Sequence, residues 1–326
     1  MESQNLVKVV DFAPFLDGSD KQSVGDALLE SFKTTGFVYL VNHGLSQDKI
    51  DQMFDLSKKF FALSHEQKML APHPPSGTHH RGYSAPGVEK VVQHVYDRSD
   101  IAEARKRSDV KETFEAGRED DELMPNIWFP EKVLPGFREG CLQFFWDCFE
   151  IEKNILRALA IGFELPEEYF LHFHTKPDNQ LRLSRYPSVP TSVLLNGELS
   201  RIDAHSDFGS MTLLMQDDIG GLEVQDPHSG EFCPVRSIPG SILLNAGDFL
   251  MRWSNDTIKS TIHRVRAPPS IETDTVPDRY SIPYVSFSDM ETVVDCIPGT
   301  WNTEKPKKYE PISVGGYVMR RLAASY

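Results

Sequence analysis

The sequence predicts an α+β protein in which helices pack on the outside of a jelly roll. Three observations predict it. Segments with a 3.6-residue apolar period dominate the first half of the chain. From about residue 180, short apolar stretches alternate with turn clusters such as DDIGG, DPHSG and NAGD, the pattern of a β-sandwich or barrel. No longer period repeats and no segment is of low complexity, which removes solenoids and propellers. With 40% hydrophobic and 25% charged residues, a chain of 326 residues can bury a sizeable core.

Leu6 to Phe12 reads as a short strand. The helix 22–36 follows, with Val24, Ala27, Leu28, Leu29 and Phe32 on its apolar side and Gly36 as its stop. Phe37 to Val41 is a buried strand. Ser46 is placed to cap a second helix reaching about Leu63, with Ile50, Met53, Phe54, Leu56, Phe60 and Phe61 facing inward. Residues 71–88 hold four prolines and read as a long loop, in which His79 and His80 look solvated. The charged run 97–112 reads as a solvated helix or loop. A third helix covers about Pro135 to Gly162, where Cys141 and Cys148 lie on the apolar stripe as buried structural thiols. Strands are then expected at Leu181–Tyr186, Met211–Met215, Gly221–Gln225, Ser241–Asn245, Ser260–Arg266 and Arg279–Phe287. Pro283 within the last of these implies an edge strand or a bulge. The division expected is an N-terminal region, 1–120, and a jelly roll with its supporting helix, 121–326, as one integrated unit.

Charge and composition exclude several functions. Lys and Arg number 34 against 48 Asp and Glu, a net charge of −14, so the chain is a poor binder of nucleic acid or anionic membranes. Its apolar runs fall far short of the roughly 20 residues that span a bilayer. The opening MESQNLVKVVDF is neither a signal nor a transit peptide. The four cysteines form no CxxC pair. The expectation is a soluble, reduced, cytoplasmic protein with a small-molecule partner.

Among the eleven histidines, only His205 has a carboxylate two residues later, Asp207. Residues i and i+2 of a strand share a face, so this pair can bind one ion from a single strand end. His263, in STIHRV, supplies a third ligand from another strand-like run. Two imidazoles and a carboxylate suit the facial triad of non-heme Fe(II), with zinc as the alternative. His172 and His174 lack a partner carboxylate at a useful offset. Arg279-Tyr280-Ser281 follows shortly after His263. Arg279 and Ser281 would share a strand face, where a planar guanidinium and a hydroxyl can grip one carboxylate.

In this order of motifs the sequence resembles the Fe(II)/2-oxoglutarate-dependent dioxygenases related to isopenicillin N synthase, which carry H-x-D, a distal His and R-x-S. The likeness extends to FKTTGFVYLVNHG (32–44), RGYSAPG (81–87), SRYP (184–187), NAGDFLMRWSND (245–256) and KSTIHRV (259–265). KETFEAGRED (111–120) and the ending RLAASY are most similar to fungal members. The resemblance implies a double-stranded β-helix, cupin-like core. It also implies that His205, Asp207 and His263 hold Fe(II), and that Arg279, Ser281 and Tyr186 bind 2-oxoglutarate. O₂ would be the second cosubstrate, and CO₂ and succinate would be released as an unactivated C–H bond is oxidised, most often hydroxylated.

Phe208, Trp253 and Tyr83 are candidate walls of the substrate pocket. Arg182 could reach an acid, carbonyl or amide of the substrate, or form a structural salt bridge. Val285 stands where many relatives carry an aromatic, which weakens stacking on a flat ring. The expected substrate is therefore a small organic molecule, a secondary metabolite, with thymine-like nucleobases as the alternative. Rival readings are an oxidase or cyclase that uses no 2-oxoglutarate and a binding protein on a cupin-like barrel. A nucleic-acid demethylase is disfavoured by the acidic charge.

Overall fold

In the computed structural model, residues 6–76, 78–88, 110–196, 201–268 and 273–322 are described. Strand β1 (Lys8–Asp11) leads into a helical turn, α1 (Ala13–Leu16). The Asp20 carboxylate accepts from the Ser23 amide and opens α2 (Lys21–Thr34), burying Val24, Leu28, Leu29 and Phe32. β2 (Phe37–Val41) follows, then α3 (Gln47–Phe61), capped by Ser46 as the sequence predicts, and α4 (His65–Lys68). After β3 (Gly82–Ser84) and β4 (Glu112–Ala116) comes the long helix α5 (Phe137–Gly162). It crosses α2 at two glycines. A Cβ on Gly25 would sit 2.7 Å from the Ala158 carbonyl, and one on Gly162 2.5 Å from that of Gly25.

The remaining chain is mostly strands: β5 (Gln180–Tyr186), β6 (Val189–Pro190), β7 (Ile202–His205), β8 (Met211–Gln216), β9 (Leu222–Gln225), β10 (Phe232–Pro234), β11 (Ser241–Ala246), β12 (His263–Val265), β13 (Thr275–Val276), β14 (Arg279–Ser286), β15 (Val293–Val294) and β16 (Ile312–Ser313). Short helices α6 (Thr191–Leu195), α7 (Asp248–Trp253) and α8 (Val314–Leu322) interrupt or end the series. Two sheets form the jelly roll. The larger has the order β1-β2-β11-β8-β14-β5-β4-β3, and the smaller β10-β9-β12-β7. Strands from both halves of the chain thus share one sheet. Among the described residues, no helix is long and apolar enough to cross a membrane.

In the middle of the large sheet both faces are covered, and β2 and β11 are accordingly almost continuously apolar. Val38 and Leu40 of β2 join Ile242 and Leu244 of β11 in a core under the helices. Their alternate neighbours Phe37, Tyr39 and Leu243 meet Leu222, Val224 and Val265 of the small sheet in a second core.

Three expectations need correction. The 71–88 loop contains β3, whose Tyr83 pairs with Phe114 of β4. The charged run is solvated neither at Lys111 nor at Glu112, and its residues 97–109 lie outside the described residues. β4 is buried along its length because its acids find cations: Glu112 meets Lys68 at 2.7 Å and Arg185 at 2.8 Å, and Glu115 meets Arg182 at 2.7 Å. Finally, Pro283 lies in a central strand without a bulge. Its β14 ladder to β8 runs unbroken, while that to β5 lapses at Ile282 and Pro283 and resumes in the same register. One lapsed stretch of ladder accommodates the missing N–H.

On α5, Glu152 is buried with its carboxylate at the Asn179 amide (2.5 Å) and the Ser286 hydroxyl. Burial pushes its carboxyl up, from the usual 4.5 to about 8, against the pull of those hydrogen bonds. The folded state therefore holds a proton that the unfolded chain gives up. The contribution of Glu152 to stability is greatest below the unfolded value and falls as pH rises from 4.5 through about 8. The Tm of the metal-free protein therefore carries a declining contribution across that window, which Glu152→Gln should remove, steepening any rise or flattening any fall. An equal slope in the variant would remove Glu152 as its cause.

Candidate active site

Strands β7 and β12 run antiparallel with His205 and His263 as direct cross-strand partners, their ring centroids 4.2 Å apart. Asp207 lies just past the end of β7, as the H-x-D spacing predicts. His205 Nδ1 is 2.8 Å from the Asp203 carbonyl and His263 Nδ1 is 3.2 Å from that of Thr261. A carbonyl only accepts, so each ring places an N–H on Nδ1 and, in its neutral form, leaves Nε2 free to bind a metal. Each Nε2 stands 3.7 Å from Asp207 Oδ1. The other carboxylate oxygen, Oδ2, accepts from Thr212 Oγ1 (2.5 Å) and Asn245 Nδ2 (2.8 Å), which fixes the carboxylate plane. Burial, with His263 alongside, pushes the His205 imidazole toward its neutral form. Burial alone would raise the Asp207 carboxyl, but the imidazoles, Asn245 and Thr212 outweigh it and hold it below the usual range.

The result is two imidazole nitrogens and a carboxylate oxygen converging within 4.8 Å of one another. A cation at the centre would satisfy all three. An N₂O donor set fits Fe(II), and zinc shares that preference.

Strand register also assembles the anion site. Arg279 of β14 pairs with Tyr186 of β5, and Ser281 with Ser184. The Arg279 guanidinium is buried, lies 4.9 Å from the Tyr186 ring centroid and donates to Gln216 Oε1 at 2.9 Å. Its Nε has no hydrogen-bond partner among the described residues. Nearby Arg201, fully buried, donates Nη2 to the Pro277 carbonyl but has no partner for Nε or Nη1 among the described residues. Burial, and then the positive charge of Arg279, push Arg201 down to about 10. Two neighbouring buried guanidiniums with unused donors fit an anion with several oxygens. The sequence reading missed Arg201. Its signal was the alternation Arg201, Asp203, His205, which places it on the side of an extended segment shared with a metal-ligand candidate.

Between the sheets lies a cavity of about 970 Å³, its open mouth included. Alternate residues of β5 (Gln180, Arg182, Ser184, Tyr186) and of β14 (Arg279, Ser281, Pro283, Val285) line it, beside His205, Asp207, Phe208 and His263. Arg182 lines the cavity and forms the salt bridge, with Glu115. Tyr83 and Trp253 do not line it. The pleat turns Tyr83 toward the helices, where its hydroxyl donates to Glu112 at 2.7 Å and its ring meets Phe60. Trp253 is buried on α7 against Phe170 and Phe173, at 5.2 and 5.0 Å. His80 is not solvated but 2% exposed, and it lines the cavity with Lys111. His174 is buried with Nδ1 on the Phe170 carbonyl. His73, His80 and Glu115 also cluster within 4.8 Å, but Arg182 already holds that carboxylate.

Residues 173–288 match the model of the 2OG-Fe(II) oxygenase superfamily, and residues 7–131 that of the non-haem dioxygenase in morphine synthesis N-terminal region. The 2-oxoglutarate-Fe(II) type oxidoreductase ppzD of Metarhizium rileyi is 36% identical over 99% of this chain and 92% of its own. Proline hydroxylase buaE of Petromyces alliaceus is 36% identical over 98% of this chain and 99% of its own. The full-length thymine 7-hydroxylase of Neurospora crassa, in complex with alpha-KG and thymine, has a TM-score of 0.90 and 41% identity, covering 100% of this chain and 99% of that one.

Proposed function

The chain belongs to the 2OG-Fe(II) oxygenase superfamily, and from that premise we propose that His205, Asp207 and His263 hold the iron, with Arg279, Ser281 and Tyr186 gripping 2-oxoglutarate. The enzyme is an Fe(II)- and 2-oxoglutarate-dependent dioxygenase with O₂ as cosubstrate. Iron, when bound, supplies the redox chemistry that couples decarboxylation of 2-oxoglutarate to succinate with oxidation of a C–H bond. The observation that carries the residue assignment is the convergence of two imidazole nitrogens and one carboxylate oxygen at one point.

The remaining work belongs to the chain. Asn245 and Thr212 orient Asp207, and the carbonyls of Asp203 and Thr261 select the metal-binding tautomer of the two histidines. Arg279 binds the distal carboxylate through a fork matched to its two oxygens, with the Ser281 hydroxyl beside it. Arg201 adds a second positive charge behind that pocket. The walls of the two sheets exclude water, which protects the reacting centre and strengthens these charge contacts.

Gln180, Arg182 and Lys111 place hydrogen-bond donors on the cavity wall. The substrate is then a small organic molecule that offers an acceptor group to them, and its C–H bond is hydroxylated. A secondary metabolite is the favoured class, in keeping with fungal relatives such as the proline hydroxylase. A thymine-like nucleobase is the second reading, favoured by the likeness to the Neurospora enzyme with thymine bound. Val285 on the wall weakens it by offering no ring to stack upon. The acidic surface disfavours nucleic acid and membrane partners, and four free cysteines support a reducing, cytoplasmic setting.

Anaerobic addition of Fe(II) and then 2-oxoglutarate to the metal-free protein should produce a weak visible charge-transfer band. Succinate release can then be screened with L-proline, thymine and related small molecules. Iron binding without a band would turn the assignment of the Arg279 pocket toward the substrate's own carboxylate, the oxidase reading.

A further inference from the structure

Behind the metal-ligand candidates lies a buried carboxylate that touches both of the segments carrying them. Asp248, the first residue of α7, is 7% exposed. Its amide donates to the Asp207 carbonyl at 2.7 Å. Its Oδ2 accepts from Ser206 Oγ at 3.1 Å, the residue between His205 and Asp207. Its Oδ1 accepts from Ser260 Oγ at 2.7 Å, on the segment that leads into His263. The approach is close, for a Cβ on the preceding Gly247 would lie 2.2 Å from the Gly209 carbonyl and 3.0 Å from that of Asp207.

The counter-charge comes from the far end of the chain. Arg321 of α8 donates Nη2 to Asp248 Oδ2 at 2.9 Å. The helix is anchored independently of this contact. Val314 and Val318 are buried, Tyr317 packs on Phe249, and the Val314 amide donates to the Thr292 carbonyl. A carboxylate so buried needs its cation to remain charged and in place.

We propose that Asp248, held by Arg321 of the C-terminal helix, is a positioning residue that sets the spacing of the His205–Asp207 segment against the His263 strand, and thereby the affinity for iron. Neither residue lines the cavity. Asp248 acts through two serine hydroxyls and one amide, so its role is the geometry of the ligands rather than contact with reactants. The inference rests on the reading of His205, Asp207 and His263 as the iron ligands.

The test is an anaerobic Fe(II) titration of the metal-free full chain against a chromogenic chelator, with Tm of the metal-free protein measured in parallel. Asp207→Ala comes first: wild-type affinity in that variant would sink the ligand assignment itself, separately from the clamp. If Asp207→Ala loses iron, Arg321→Met should weaken binding about 10-fold, the lower end of the range for residues that support ligands. Its metal-free Tm should stay within a few degrees of wild type, and Arg321→Lys should recover most of the affinity. Arg320→Met, at the exposed neighbouring position, should bind iron as the wild type does. Affinity within about twofold of wild type in Arg321→Met, or an equal loss in Arg320→Met, overturns the proposal. Should Arg321→Met fail to fold, Ser260→Ala decides in its place: the same weakening at unchanged Tm supports the clamp, and unchanged affinity overturns it.

Discussion

Asp207→Ala is expected to reduce succinate formation by more than about 100-fold and to abolish the anaerobic charge-transfer band. Replacing residues that only support metal ligands costs about 10–100-fold, and this substitution removes a proposed ligand outright. Two neutral imidazoles remain, and they supply no charge to offset the stripping of water from the ion. The metal-free protein should not become less stable in the same proportion. In the metal-free protein its removal gives up the bonds from Asn245 and Thr212 and the contacts with the two imidazoles, a cost separate from the loss of iron. The pair of measurements distinguishes a ligand from a structural carboxylate. Undiminished iron binding in a folded Asp207→Ala protein would refute the assignment.

The second large effect is expected at Arg279. In Arg279→Ala the distal carboxylate of 2-oxoglutarate loses a buried, two-pronged ion pair. Breaking such a pair on one side costs about 3–5 kcal/mol, and about 1.4 kcal/mol is tenfold in affinity. The dissociation constant for 2-oxoglutarate, read from the charge-transfer band, should rise by about 100- to 1,000-fold or more. Iron binding should persist, because the guanidinium belongs to β14 and the proposed ligands to β7, β12 and the turn after β7. Arg279→Lys should fall between the two, keeping the charge while losing the fork. Equal 2-oxoglutarate affinity in wild type and Arg279→Ala would place the cosubstrate elsewhere.

The legible part of the fold rests on local periodicity. Ser46 begins its helix where the capping rule places it, and the stripe through Cys141, Cys148 and Ile155 is buried along α5. Alternation along 279-RYSIPYV-285 is equally local, and the residues it predicts on one face, Arg279 and Ser281, line the cavity together. His205 and Asp207 are close for the same reason.

Where local rules met long-range partners, they failed. Lys111 and Glu112 read as solvated because nothing nearby in sequence reveals Lys68 or Arg185 waiting across the fold. His80 read as solvated because its burial depends on sheet neighbours distant in the chain. Tyr83 and Trp253 are aromatic residues within family-like phrases, yet which face an aromatic takes is settled by what packs against it. For Tyr83 that is Phe60, and for Trp253 it is Phe170 and Phe173.

By itself, the sequence determined the α+β class, the main helices and strands, and the order of candidate groups along the chain. All of these follow from interactions within a few residues or from side-chain chemistry. Only the tertiary structure decided that His263 stands directly across from His205, that Arg201 comes beside Arg279, and that Arg321 reaches Asp248. Each of these depends on strand register or helix docking, which arises when segments far apart in the chain bury their apolar faces together.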